Sequence, residues 1–430
     1  MFYRRALTLI LLLAVAARLA VMVPQLGREL DDPDNYLPLA RALAEGQGFA
    51  INGHPTAYRP PLYPLILAPL VSALGDRLVW GVCGLHLAMG VGTVALTALA
   101  ARRWGMPKSC VLIAALVVAC DPVLVVQSRS VMTETLAAFL LSAALAAVAD
   151  PSGLVWRGAA LGGLAFGLAG LCRPSTLPAA ALVAGAALVL GPDRLRVRFQ
   201  RGALLVVAAT APLAPWAVRN NQVFGEPVWT TTHGGYTLAL ANNPVYYAEV
   251  LDGPPGAVWA GRNQRQWFDW VNRTTAGMTE PEADRTLRAA ATGMLLERPG
   301  TFARAALARL GRFWGVAPSG SVYPRWLRMA TAAWTVPLWL ALAAGFVRRD
   351  LWCWPRIAAP SMMLALSVVH AFFWTDLRMR APIVPAIALV ASWGLRNGDW
   401  GGGVGDWVAK WGVAVSRRKG ARKKDCGKVR

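Results

Sequence analysis

Acidic residues are scarce in this chain of 430: 23 Asp plus Glu stand against 44 Lys plus Arg, a formal net charge of +21. Charge of either sign is short, at 16% of residues where soluble domains carry about 25%. The shortage excludes a disordered chain, which stays in water by exchanging apolar residues for charged ones, and it argues against a soluble enzyme. It also argues against a nucleic-acid binder, which has the basic excess but no use for long apolar runs. Cysteine supplies no framework. Of the six, Cys83, Cys110, Cys120 and Cys172 sit inside apolar stretches without disulfide or zinc spacing, and they read as small hydrophobes. Lysine occupies only six positions, so the positive charge is mostly arginine; with the abundant alanine, this fits a GC-rich bacterial gene.

What is there instead is apolar sequence, 56% of the chain. A bilayer core takes about 17 to 25 apolar residues per helix, and the candidates are 6–24, 79–100, 110–127, 132–148, 157–172, 175–191, 203–217, 328–347, 357–374 and 381–397. Arg4 and Arg5 precede the first run as in a signal peptide, but Val21-Met22-Val23-Pro24-Gln25 has no small-residue cleavage site, so the run is expected to stay as an anchor. The run 62–75, between Pro60-Pro61 and Gly75-Asp76-Arg77, is short for a span. If it does not cross, the basic connectors at 101–108, 193–201 and 348–349 share the side of Arg4 and Arg5, as the positive-inside rule asks. It is therefore expected to be a re-entrant or surface-lying helix. The fold class that follows is an all-α polytopic membrane protein of ten spans, with both termini in the cytoplasm.

This orientation puts two larger segments, 25–78 and 218–327, on the outer face of a membrane domain covering 1–397. Within the second, Thr279-Glu280-Pro281-Glu282 is a capping box opening a helix that should stop at Arg298-Pro299-Gly300. The stretch 302–316 places Leu307, Leu310, Phe313 and Trp314 on one face and Arg304, Arg309 and Arg312 on the other. Such a helix either lies on the membrane surface or packs against the outer ends of the spans. The tail, 398–430, carries eight basic residues and one acid from Arg417 onward and reads as a cytoplasmic segment on anionic lipid.

Leu30-Asp31-Asp32-Pro33-Asp34-Asn35-Tyr36 sets three carboxylates just before a short helix, for which Asn35 is the expected cap and Gly46 and Gly48 the end. Acids ahead of a helix N-terminus complement its dipole at about 0.3 to 1 kcal/mol each, which accounts for one or two of them. Three, in so acid-poor a chain, point to a task. One carboxylate can act as a general base toward an incoming hydroxyl, and the Asp32/Asp34 pair can hold a divalent cation through oxygen ligands.

The loop continues as Tyr36-Leu37-Pro38-Leu39-Ala40-Arg41, Gly46 to Phe49, then Tyr58-Arg59-Pro60-Pro61-Leu62-Tyr63. In this it resembles the GT-C superfamily of integral-membrane glycosyltransferases. It is closest to the family 39 type of protein O-mannosyltransferases and lipid A aminoarabinose transferases. Further matching fragments are Met132-Thr133-Glu134, Arg173-Pro174, Pro215-Trp216 to Arg219-Asn220, Gly234-Gly235 to Asn242-Asn243-Pro244, and Arg378-Met379-Arg380 to Pro385. The resemblance spans about residues 1–397. It implies a sugar carried on a polyprenyl phosphate and passed, on the outer face and with inversion, to a lipid, glycan or protein acceptor, with Asp32 as the base. Such an enzyme would sit in a bacterial inner membrane. The sequence departs from the pattern at Pro33, which replaces a second acid, and at Arg59, which replaces a lysine. Tyr58 stands where relatives carry an acid that can serve a metal, so a divalent cation is left open.

A glycosyl phosphate brings its own leaving group, so the protein must supply a base and positive charge for the departing phosphate. Arg59, Arg219, Arg378 and Arg380 are candidates, because a guanidinium binds phosphate oxygens bidentately and stays charged. Each has a plain alternative: Arg219, Arg378 and Arg380 can snorkel to headgroups, and Arg59 can pair with Asp31 or Asp34. Asp31, Asp34, Tyr36 and Tyr58 are supporting candidates. Arg18 and Arg173, at membrane depth, should face the interior with a partner, and Glu134 is available for one of them or for the acceptor. His54, His86, His233 and His370 share no metal spacing; His233, beside Gly234-Gly235, is the one placed to touch donor or metal. The 19 Trp residues fit boundary anchoring, with some able to stack on a sugar. A transporter or flippase of a lipid-linked sugar is the alternative from another class, although no paired repeats are visible. A non-catalytic assembly subunit is a third, in which the Asp cluster would be replaceable.

Overall fold

A computed structural model describes residues 2–26, 29–253, 259, 262–318 and 323–396; the basic tail lies outside the described residues. Apolar periodic runs become helices nearly everywhere. The first half holds α1 (Phe2–Met22), α2 (Tyr36–Ala44), α3 (Leu62–Leu74), α4 (Leu78–Arg103), α5 (Lys108–Cys120), α6 (Pro122–Gln127), α7 (Glu134–Val148), α8 (Trp156–Cys172) and α9 (Leu177–Leu190). The second holds α10 (Leu195–Thr210), α11 (Leu213–Phe224), α12 (Gly234–Ala241), α13 (Pro244–Tyr246), α14 (Arg262–Thr274), α15 (Glu280–Glu297), α16 (Pro299–Phe313), α17 (Arg325–Val347), α18 (Ala358–Phe372) and α19 (Val384–Gly394). Among the described residues the one departure from all-α is a hairpin of two short strands, β1 (Ala50–Ile51) and β2 (His54–Pro55), with Ala50 opposite Pro55.

The bundle is a chain of neighbouring pairs: α1 on α4 and α5, α4 on α7, α7 on α8, α8 on α10, and α17 on α19, which packs back on α5. Small residues set how closely they approach. A Cβ on Gly163 of α8 would stand 2.3 Å from the Leu205 carbonyl oxygen of α10, and one on Gly167 the same distance from that of Ala209. This close backbone approach is how membrane helices associate when burying apolar surface gains little over lipid. Outward, α1 shows Leu9, 65% exposed, and Leu12, 58% exposed, which suits a lipid-facing helix.

Every predicted span overlaps a helix. Among the described residues, three stretches are long and apolar enough to cross a bilayer alone: Phe2–Gln25, Leu62–Arg103 and Arg325–Val347. Leu195–Thr210 with Leu213–Phe224 makes a fourth if their 42° bend lies within one span. The run expected at 203–217 straddles that bend, where Pro212 cannot donate to the helical ladder. Lys108–Cys120, Glu134–Val148, Pro174–Leu190 and Ala358–Phe372 are shorter apolar helices; at about 1.5 Å per residue none reaches 30 Å alone. The run 62–75, expected as a re-entrant or surface-lying helix, forms α3, which ends at Gly75 with a positive φ of 48°. A 3₁₀ turn, Gly75–Arg77, leads from it into α4, and the chain bends there so that a Cβ on Gly81 would lie 2.2 Å from Leu74 Cδ1 and 3.7 Å from Leu70 Cδ2.

The capping box forms as the sequence indicates: Thr279 donates from N and Oγ1 to Glu282 Oε2, both at 2.8 Å. The two faces of 302–316 are not as expected. Arg309 is fully buried and Leu307 is 70% exposed. The cause is two helix ends: Arg309 donates to Ala241 O (2.7 Å) and Ala371 O (2.9 Å), in the last turns of α12 and α18, where carbonyls lack partners and cations are favoured. Arg18 behaves alike. It is buried, donates to Ala119 O at 3.2 Å near the end of α5, and so finds a backbone partner rather than a carboxylate.

Candidate active site

The acidic loop is built by its first turn. Asn35 takes a left-handed conformation (φ 58°), which Asn tolerates, and its side chain caps nothing. The cap is Asp32, which corrects the sequence expectation: its Oδ1 accepts from Tyr36 N at 2.9 Å and its Oδ2 from Leu37 N at 2.7 Å. The carboxylate is thereby fixed in orientation at the N-terminus of α2. Burial raises its pKa above the ordinary value; the two backbone donors and Arg59 pull the other way, and the negative charge of Asp34 adds to the rise.

The other two acids have separate partners. Asp31 accepts from Ser130 Oγ at 2.7 Å, while its carbonyl receives Val131 N at 2.8 Å, tying the loop to the start of α7. Asp34 pairs with Arg59 at 3.1 Å, and the Arg59 guanidinium lies 5.9 Å from the Tyr36 ring centre and 5.5 Å from that of Tyr58. Among the described residues no three His, Cys, Asp or Glu side chains converge to hold a metal ion. With Asp32 turned to backbone donors and Asp34 to a guanidinium, the pair does not fit a cation cage.

Tyr36, buried, meets Tyr63 edge-on at 5.3 Å. Tyr63 donates to His86 Nε2 at 2.7 Å, because the other ring nitrogen, 2.8 Å from the Ser128 carbonyl, must carry the proton. His86 is thus a structural residue. His233 lies elsewhere in the same cluster, edge-on to Tyr58 at 4.3 Å and stacked on Tyr236 at 5.1 Å. Burial, then the nearby Arg59 charge, pulls its pKa down to about 3, so it is neutral at ordinary pH.

A second charged group faces the loop. Glu134, wholly buried at the first position of α7, has Arg173 at 3.1 Å and Arg378 at 3.8 Å, yet neither of its oxygens completes a hydrogen bond. Arg173 is therefore the paired arginine that the sequence anticipates. Arg378 also meets Asp376 at 3.3 Å and is near enough to Asp34 to feel its charge. Burial works against this cation, but Glu134, Asp376 and Asp34 outweigh it and raise its pKa. Arg378, 30% exposed, is the side chain that links the two clusters.

Two predicted phosphate ligands are turned to other work. Arg219 donates to Thr56 O and Phe49 O, both at 2.8 Å, clasping the hairpin to α11. Arg380 is buried, donates to Gly315 O at 2.5 Å just past α16, and stands over the Trp339 ring. Backbone carbonyls leave no mark in a sequence, so neither use was visible there. Sequence reasoning also missed Asp376 and two acids on α15. Glu280 accepts from Thr56 Oγ1 (2.6 Å), Ala57 N (2.8 Å) and Thr232 Oγ1 (2.9 Å), and Asp284 accepts from Gly235 N at 2.5 Å. A Cβ on Gly235 would lie 2.0 Å from the Asp284 carbonyl oxygen, so only glycine lets α12 dock and set His233 beside Tyr58. The capping box was a usable signal for α15, but not for what its acids hold.

Residues 72–191 match the family model described as dolichyl-phosphate-mannose-protein mannosyltransferase. No curated protein matches the sequence. Among solved structures, the archaeal oligosaccharyltransferase AglB of Archaeoglobus fulgidus, in complex with an inhibitory peptide and a dolichol-phosphate, overlays at TM-score 0.53 with 14% identity. That overlay covers 99% of this chain and 52% of the other. The same oligosaccharyltransferase tethered to an acceptor peptide gives 0.52, 13%, 92% and 49%. ArnT of Cupriavidus metallidurans bound to undecaprenyl phosphate gives 0.41, 14%, 92% and 77%. The resemblance to GT-C membrane glycosyltransferases is borne out, and the chain spans about half the length of the oligosaccharyltransferase whose fold it shares.

Proposed function

We propose that the chain is a membrane glycosyltransferase that moves a sugar from a polyprenyl-phosphate donor to a hydroxyl or phosphate acceptor at the outer face of a bacterial inner membrane. The observation that carries this is Asp32: a carboxylate oriented by two backbone donors, made more basic by burial, next to the Arg59/Asp34 pair. The family match on residues 72–191 and the shared fold support it independently.

In this reading Asp32 takes the proton of the acceptor as its oxygen attacks the anomeric carbon from the side opposite the leaving group. The C–O bond to phosphate breaks as the new C–O bond forms, inverting the centre, and the electron pair leaves on the phosphate. Arg378, partly open and bearing raised basicity, and Arg59 supply positive charge where that phosphate departs. Tyr36, Tyr58 and His233 wall the site; a neutral His233 can hydrogen-bond a sugar without repelling the arginines. Glu134, itself paired with Arg173, holds Arg378 from behind. No step requires a metal.

Purified protein incubated with polyprenyl-phosphate sugars and a panel of lipid, glycan and peptide acceptors should yield a glycosylated acceptor with inverted anomeric configuration. A chain that carried the lipid-linked sugar across liposomes without any transfer would refute the assignment in favour of transport.

A further inference from the structure

At the end of the bundle remote from Asp32, a cleft of about 490 Å³ opens between the first turns of α1, the last turn of α4 and the start of α5. The length of α1, 21 residues or about 30 Å at ~1.5 Å per residue, separates the two. Arg4, Arg102 and Lys108 line it with Tyr3, above an apolar floor that includes Leu7 and Val111, and no acid contributes to it. Among the described residues none of the three cations forms an ion pair. The Tyr3 hydroxyl is buried with no hydrogen-bond partner. Lys108 is the first residue of α5, whose opening N–H groups follow Pro107 and add a positive helix end.

Positive charge at this end satisfies membrane orientation wherever it sits along the loops. Orientation alone does not account for three cations from three helices lining one cavity, nor for the unpartnered hydroxyl of Tyr3, which lines it too. We propose that this cleft binds the phosphate headgroup of an anionic membrane lipid, with Arg4, Arg102 and Lys108 paired to the phosphate oxygens and Tyr3 donating its hydroxyl. The apolar floor and the lipid-facing side of α1, with Phe2 81% and Leu9 65% exposed, provide the path for an acyl chain, which favours a lipid over a soluble phosphate.

Native mass spectrometry of the full chain in detergent, titrated with phosphatidylglycerol, phosphatidylcholine and inorganic phosphate, tests this. Phosphatidylglycerol should bind in preference to phosphatidylcholine. Arg102→Gln with Lys108→Gln should weaken it about thirtyfold, and Tyr3→Phe should weaken it less, while thermal unfolding stays that of the wild type. Equal phosphatidylglycerol binding by wild type and the double variant would overturn the site. Displacement of the lipid by millimolar inorganic phosphate would overturn the lipid assignment. Should the double variant unfold early, the Arg102→Gln single variant reads the same dependence.

Discussion

Asp32 has two uses at once, and they agree. As a cap it accepts two backbone N–H groups, which fixes its direction; as a buried acid it is more basic than a surface aspartate. The first use was legible as three acids before a helix, although the cap was expected at Asn35. That error came from φ: a left-handed Asn35 cannot point its side chain at the helix, so the acid three residues earlier closes the turn. Arg59 lowers the Asp32 pKa and neutralises Asp34, whose charge raises it. Removing the cation therefore pushes that pKa up on both counts. Because the base must be deprotonated, the acidic limb of kcat/KM against pH should sit higher than an ordinary aspartate gives and move further up in Arg59→Gln. A limb that stayed in place would detach Arg59 from the base.

Helix positions were largely readable, since apolar runs and capping boxes announce themselves; what the helix ends hold was not. Arginines repeatedly serve the unpaired carbonyls at helix C-termini: Arg18 at α5, Arg309 at α12 and α18, and Arg198, which donates to Val189 O at 2.9 Å, at α9. Amphipathic spacing put Arg309 on the polar face with Arg304 and Arg312 because it cannot know which helix ends lie opposite. Arg309→Met should cost about 3 kcal/mol by leaving buried carbonyls unpaired, seen as a lower thermal midpoint in detergent; an unchanged midpoint would mean other groups cap them. Docking of α12 depends on Gly235 for clearance. Gly235→Ala should lose transfer activity with the bundle intact, since it displaces His233 and Tyr58; full activity would show that the α12–α15 contact has no bearing on the site.

Across the whole molecule, the excess of +21 divides into loops that orient the chain, helix-end arginines, and the few at Asp32. Among the described residues three stretches, or four with the bent pair, are long and apolar enough to span alone, and shorter apolar helices pack among them. The site draws on five separated stretches of chain, around residues 32–59, 134, 173, 233 and 376–378, brought together by α2, α7, α8, α12 and the turn before α19. Substituting Asp32→Asn keeps a cap acceptor while removing the base, so the fold should survive and its thermal midpoint provides the control. The decisive measurement is the transfer rate of this variant beside wild type, with saturating polyprenyl-phosphate sugar and acceptor. The account predicts a fall of about a hundredfold or more; a correctly folded variant that transferred sugar at the wild-type rate would contradict it.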